Sequence, residues 1–271
     1  MTWVWLILRL KMPISGMRLN KKSFSIIAYL AGPILILIIW SVISSLVGND
    51  TLYLASPKET FTSLWTFLNQ KEFYFDTFYT LQRVLLSVVI ATLLAIQVAL
   101  LISFKQFLFT MSEFIIDFFR SIPSVALFPL FLVIFGINDT ARTGTAIFIC
   151  FWIVLLNLLS GIFHASKVRT ESLEVIGATK IQIFRHVLFW ESLAPLVAGM
   201  RLALTTSLVI IILTEMLVSP KFGLGAKIFL MQQTYKIPEM YALILITGCV
   251  GYILNKCIVT IERKVIHWTR S

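Results

Sequence analysis

Charged side chains are scarce in this sequence. Asp, Glu, Lys and Arg make up 13% of its 271 residues, against about a quarter in a soluble domain. Apolar residues reach 58%, more than a soluble core of this size can bury. That balance excludes disorder and argues against an ordinary cytosolic globule. Cysteine is almost absent. Cys150, Cys249 and Cys257 lie in or beside apolar runs, and none forms a CxxC pair. They read as buried reduced thiols, which leaves no disulfide framework and no zinc site. His164, His186 and His267 are isolated, with no metal spacing, no HExxH and no recognisable Ser-His-Asp arrangement. No GxxxxGKS or GxxxxGKT occurs, so the chain lacks the usual cradle for the phosphates of ATP. Acidic residues are the rarer sign, 13 against 23 basic ones, for a net charge of +10. In a soluble protein that excess suggests nucleic acid; here its distribution along the chain matters more.

What the sequence has instead is long apolar runs. A bilayer-spanning helix takes about 20 predominantly apolar residues. Runs of that length, rather than short alternating strands, predict an all-α membrane protein and not a barrel. Six transmembrane helices are expected. The first, Phe24 to Val47, follows Arg18, Lys21 and Lys22. It exceeds the roughly 7–15 residues of a signal-peptide core and is read as uncleaved. The second runs from Phe78 to Phe104, with Arg83 near its start. The third is expected from Phe107 to Ile137: a lead-in helix with Glu113, Asp117 and Arg120 on one face, bending near Pro123 and continuing across the membrane. Thr143 to Ala165, Leu193 to Val218 (holding Arg201 and Glu215) and Met240 to Val259 complete the set.

Six spans put both termini on one side. Of the 23 basic residues, Lys58, Lys71, Arg142, Lys221, Lys227 and Lys236 then lie outside, Arg83 and Arg201 within spans, and the other 15 inside. The positive-inside rule makes both termini of this multi-pass cell-membrane protein cytosolic. The expected organisation is a cytosolic segment 1–23, a first span 24–47, an outside loop 48–77, a five-helix core 78–260 with a cytosolic loop 166–191, and a cytosolic tail 261–271. The apolar stretch Thr2 to Leu10 is too short to span. It reads as an interfacial anchor, or as sequence upstream of a start at Met12 or Met17.

Two loops carry helical signals. In the outside loop, Ser56 and Glu59 have capping-box spacing with Pro57 at the first helical position, followed by Leu64, Trp65, Phe67 and Leu68. This predicts a short amphipathic helix on the outer interface. In the cytosolic loop, Gly177 can end one short helix with a positive φ. Thr179 can cap the next, with Gln182 as its third-position partner. The second helix places Ile183, Phe184 and Val187 on one side. Two readings stay open: a docking surface for another protein, or an element packed back against this chain's own helices.

Glu171 to Phe189 resembles the EAA loop of permease subunits of ATP-binding-cassette importers. Glu171 stands six residues before Gly177, and Gly177-Ala178-Thr179 fits the family's Gly-Ala-Ser/Thr. Ser172-Leu173 replaces Ala-Ala, and Trp190 replaces the expected proline. The likeness extends from about Phe78 to the C-terminus. Thr80-Leu81-Gln82-Arg83-Val84 resembles the start of the permease domain. Phe119-Arg120-Ser121-Ile122-Pro123 through Pro129-Leu130 resembles a segment of the nitrate/sulfonate/taurine group, the binding-protein-dependent inner-membrane components. Gly199-Met200-Arg201-Leu202, Thr214-Glu215-Met216-Leu217 and Phe222-Gly223-Leu224-Gly225 resemble its later elements.

The resemblance implies a type I ABC importer permease fold and a non-catalytic subunit. Its implied partners are an ABC ATPase dimer, an extracytoplasmic substrate-binding protein and a second permease copy in a homodimer. No cofactor is bound by this chain; ATP and Mg sit at the partner ATPase. The implied coupling loop is Glu171, Ser172, Leu173, Gly177, Ala178, Thr179, Ile183 and Phe184, with Glu171 pairing to the ATPase or stabilising the helix start. The candidate pathway set is Arg83, Pro123, Ser124, Pro129, Arg201 and Glu215. Arg83 and Arg201 could attract an anion; equally, they could snorkel while Glu215 pairs within the bundle. The implied solute is a sulfonate, taurine, nitrate or bicarbonate, with a thiamine-pyrimidine precursor as alternative. A secondary transporter would need its own midplane coupling site in inverted halves. A membrane enzyme would need clustered catalytic residues, and neither pattern is present.

Overall fold

The computed structural model describes residues 21–47, 54–103 and 106–265. The segment Thr2 to Leu10, the alternative starts and His267 lie outside the described residues. The chain divides into two units, up to Pro57 and from Lys58. The first holds helix α1 (Lys21–Val47), whose apolar side chains from Ile34 to Leu46 are largely exposed. Pro33 lies inside this helix; in a membrane such a break is tolerated where the freed carbonyl is satisfied locally. The Trp40 indole donates to the Ala55 carbonyl at 3.0 Å.

The remaining helices are α2 (Pro57–Leu68), α3 (Lys71–Ser103), α4 (Gln106–Ser121), α5 (Phe128–Phe135), α6 (Asp139–Phe163), α7 (Lys167–Val175), α8 (Lys180–Ile183), α9 (Leu193–Leu217), α10 (Leu224–Gln233) and α11 (Ile237–Val265), and no strand occurs among the described residues. Four of these, α3, α6, α9 and α11, are long and apolar enough to cross a membrane. Four of the expected six spans are these helices; the pair α4 and α5 lies where the third was expected, and α1 covers the run Phe24 to Val47 expected as the first. Helix α3 begins at Lys71 and α6 at Asp139, both earlier than the hydrophobic runs suggested. Polar first turns are helical here because the Asn138 side chain caps α6 by accepting from the Ala141 N–H at 3.1 Å.

The third span breaks near Pro123, where the bend was expected, and more sharply than a kink: the chain turns by 84° between residues 107–121 and 124–135. Ile122 precedes a proline and so disfavours helix. Pro123 is extended (φ −61°, ψ 114°). Pro129 sits at the start of α5, where its missing N–H is harmless. The expected face of Glu113, Asp117 and Arg120 is exposed, and Arg120 meets Asp117 at 3.7 Å.

The main core lies between α3, α6 and α9. Ala91, Ala95 and Ala99 form a fully buried stripe one helical turn apart on α3, against Cys150, Val154 and Leu158 of α6 and Ala203 and Ile211 of α9. Small residues let backbones approach closely, which is how helices gain dispersion contacts where lipid removes the hydrophobic drive between them. The Cys150 thiol donates to the Ala203 carbonyl at 3.3 Å. Cys249 and Cys257, expected to be buried, are exposed, because their face of α11 is turned away from the core. A second cluster joins Phe67 of α2 and Phe73 of α3 to Leu224, Ile228, Ala242 and Leu243. The short helix α2 is thereby packed onto α10 and α11, while Trp65 remains 70% exposed.

Overpacking a fitted core costs about 1–3 kcal/mol. Ala95→Leu should lower the thermal midpoint of the detergent-purified protein by several degrees, whereas Leu94→Ala, on the exposed face, should leave it unchanged.

Candidate functional site

Helices α3, α6 and α11 begin at the end of the bundle where α9 finishes. At that end the sequence places its intramembrane charges. Arg83 of α3 reaches three segments. Its Nη1 donates to Glu215 of α9 at 2.6 Å and to the Phe222 carbonyl at 2.9 Å. Its Nε and Nη2 form a fork with the Asp139 carboxylate of α6 at 3.1 and 3.2 Å. Arg142 adds a second contact to Asp139 at 2.9 Å and holds the Val218 carbonyl at 2.7 Å. Glu215 is fully buried and takes a further N–H from Gly225 and a hydroxyl from Thr80. Thr80 in turn accepts the Leu224 N–H, and Asp76 accepts the Gly223 N–H, both at 2.9 Å. Phe222 stacks on Tyr79 with ring centroids 5.3 Å apart.

The glycines of Phe222-Gly223-Leu224-Gly225 follow from this geometry. A Cβ on Gly223 would lie 2.7 Å from the Glu215 carboxyl carbon. One on Gly225 would strike the Ile212 carbonyl. Only glycine lets the backbone come close enough for its N–H groups to serve Asp76 and Glu215.

Two candidate pathway residues, Arg83 and Glu215, are thus joined to each other, and their charges are met by protein groups. Arg201 lies toward the other end of α9, with a side chain 40% exposed and Glu262 of α11 3.7 Å away. Pro123, Ser124 and Pro129 lie at the elbow between α4 and α5, the two prolines exposed. Arg142, expected as an outside loop charge, has a side chain only 4% exposed. Asp76, Thr80, Asp139 and Arg142 were not singled out from sequence. The available signal was stoichiometric: two arginines near apolar ends require nearby carboxylates, since a buried charge must be paired.

The opposite end carries residues 164–192. Helix α7 ends at Gly177, which has φ +80°; the Gly177 and Ala178 N–H groups bond the Glu174 and Leu173 carbonyls at 3.0 Å. Thr179 and Gln182 form the expected capping box. Beyond α8 the run continues as a π-helical turn, Phe184–Leu188, and a final turn, Phe189–Glu191.

The apolar faces differ from expectation. Ile183, Phe184 and Val187 are buried in this chain, and Phe184 joins the main core. The run then continues through the turn Phe189–Glu191 to the start of α9. The exposed large apolar residues here are Val168, Val175, Ile176, Ile181 and Trp190. Glu171 and Ser172 are exposed, Leu173 and Ala178 half-buried. Glu171 sits in the second turn of α7, so it does not cap that helix.

Residues 87–270 match the family of binding-protein-dependent transport system inner membrane components. The chain belongs to this family. It is a permease subunit of a binding-protein-dependent ABC importer. A probable ABC transporter permease of Brucella melitensis is 24% identical over 223 residues, covering 82% of this chain and 90% of its own. The bicarbonate transport system permease CmpB of Synechococcus elongatus is 26% identical over 259 residues, 92% of each chain. The taurine transport system permease TauC of Escherichia coli is 21% identical over 238 residues, 86% of each. A solved amino acid ABC transporter shares the fold, with a TM-score of 0.55 at 19% identity over 69% of this permease and 91% of that chain.

Within this permease the charge knot ties α3, α6, α9 and the 218–225 segment together. Removing one partner of a buried ion pair costs about 3–5 kcal/mol, because the other charge is stranded. Arg83→Met alone should therefore lower the thermal midpoint sharply. Arg83→Met with Glu215→Leu should recover part of the loss, measured on the purified protein.

Proposed function

We propose that this permease imports a small anion, such as a sulfonate, taurine, nitrate or bicarbonate, and that an ABC ATPase dimer drives it by docking on residues 166–191. The observation that carries the docking reading is the exposed apolar set Val175, Ile176 and Ile181 around the Gly177 turn, beside Glu171 and Glu174. Contiguous exposed apolar residues rimmed by charge mark a protein contact. The anion reading is supported by relatives named for bicarbonate, taurine and aliphatic sulfonates.

In this reading the docking end faces the cytosol, both termini are cytosolic, and the charge knot faces outside, where a substrate-binding protein delivers solute. ATP and Mg are bound and ATP is hydrolysed by the ATPase. A second copy of this chain completes the pathway, with Pro123, Ser124, Pro129 and Arg201 as candidate wall residues. Arg83 and Arg142 are held by carboxylates, so solute selection rests with the binding protein. ATPase closure moves the docked loop, and the loop moves the spans.

The test is cysteine cross-linking with Cys150, Cys249 and Cys257 replaced. Ile176→Cys and Ala178→Cys should each cross-link to the ATPase encoded with this permease, with a yield that changes on adding ATP. Buried Ile183→Cys should not. No cross-link from Ile176→Cys or Ala178→Cys in an assembled complex would overturn the docking assignment.

A further inference from the structure

Helix α7 is held by almost nothing apolar. None of its residues is buried. Its C-terminal end turns through Gly177, where φ is +80° and no other group lies within 4 Å of an added Cβ. Its start follows α6 through three residues, 164–166, so with no buried side chain between them α7 can shift about these two joints. Its start is also unusual: Ser166 stands at the cap position, yet its hydroxyl makes no capping bond.

The oxygen that meets this start comes from Glu191. One carboxylate oxygen accepts the Ser166 N–H at 2.6 Å, across 25 residues of sequence. The other takes Arg169 Nη1 at 2.9 Å. A charge-assisted bond to a backbone N–H is short and directional, and the Glu191 side chain is only 20% exposed. The Arg169 side chain is 69% exposed, so its ion pair is screened and secondary. Glu191 itself is fixed from the other side. It precedes Ser192, against which Gly161 of α6 packs so closely that a Cβ there would lie 2.8 Å from the Ser192 Cα. Ser192 also accepts the Leu196 N–H at 2.9 Å at the start of α9.

We infer that Glu191 is a positioning residue that locks α7 to the base of α9, so that the two helices move as one lever when the ATPase pulls on the loop. The inference rests on the docking reading above. Without Glu191, displacement of α7 is taken up at its two joints, residues 164–166 and Gly177, and does not reach α9. Trp190 and Glu191 stand where the EAA-type loop of the family turns into the next span, and the carboxylate supplies there a tie that packing does not.

The experiment uses the full permease assembled with its ATPase, with the native cysteines replaced. Spin labels at Val175→Cys and Val209→Cys, both exposed positions on α7 and α9, report the distance across the lever. It is measured without nucleotide and after trapping with ATP, Mg and vanadate. With Glu191 present, a narrow distribution with the same mean in both states is expected. Glu191→Ala should at least double the width and make the mean differ between states, while vanadate trapping persists. Glu191→Gln, which keeps an acceptor for Ser166 but loses the charge, should fall between. Arg169→Gln should change the width least.

Assembly is checked in each variant by the Ala178→Cys cross-link. A Glu191→Ala distribution as narrow as the parent, with that cross-link intact, overturns the lever. So does a parent distance that shifts on trapping. Loss of the cross-link in the parent itself would instead overturn the docking reading on which the lever rests.

Discussion

One guanidinium organises one end of this permease's bundle. Arg83 donates to a carboxylate on α9, a carboxylate on α6 and a carbonyl in the segment after α9. An unpaired arginine at that depth is costly, so each partner must arrive in place for the others to be tolerable. The Glu215 carboxylate then imposes its own demands: a hydroxyl from Thr80 and the Gly225 N–H. Those demands fix where the Gly-Leu-Gly segment lies and why both glycines are there. The knot is a constraint on geometry more than a source of net stability, since a buried ion pair can be matched by apolar packing of similar volume. It pins three helix ends and leaves their far ends to be displaced.

At those far ends the design is reversed. The loop between α6 and α9 buries its second helix through Ile183, Phe184 and Val187 and leaves its first helix with no buried residue. Half of the loop belongs to this chain's core, and half is free to belong to something else. Of the two readings that the pattern left open, packing onto this chain's own helices holds for Ile183, Phe184 and Val187. Between the pinned end and the half-free end lies a core of small residues, where Ala91, Ala95, Ala99 and Ala203 keep α3, α6 and α9 in close contact. Closely packed helices transmit displacement along their length, because such interiors compress little.

Local chemistry was legible where the signal was local. Gly177 at positive φ and the Thr179–Gln182 capping box were both written in adjacent residues, and both are present. The helix from Pro57 followed from its capping spacing, though not its packing on α10 and α11. The break at Pro123 was also legible, but its angle was not. A proline says that a helix stops; the direction of the next helix depends on what α5 packs against. For Ile183, Phe184 and Val187 the pattern left two partners open, and the fold buries all three in this chain. Beyond them, the π turn at 184–188 shifts the register of the residues that follow, and no composition signal announces it.

The sequence by itself determined the solvent this protein lives in, the approximate position of its spans, and the loop motif that marks its family. Long apolar runs have one low-energy environment, and glycine and proline act on their own neighbours. Only the tertiary structure decided which charges meet. Arg83 and Glu215 are 132 residues apart in sequence and 2.6 Å apart in space. Arg142 looked like a loop charge, and the helices bury it against Asp139 and the Val218 carbonyl. Glu191 had no signature at all, because its partners, Ser166 and Arg169, are brought to it by the turn of an entire helical hairpin. Pairing of distant charges depends on how helices are arranged around one another, and that arrangement is a property of the whole bundle.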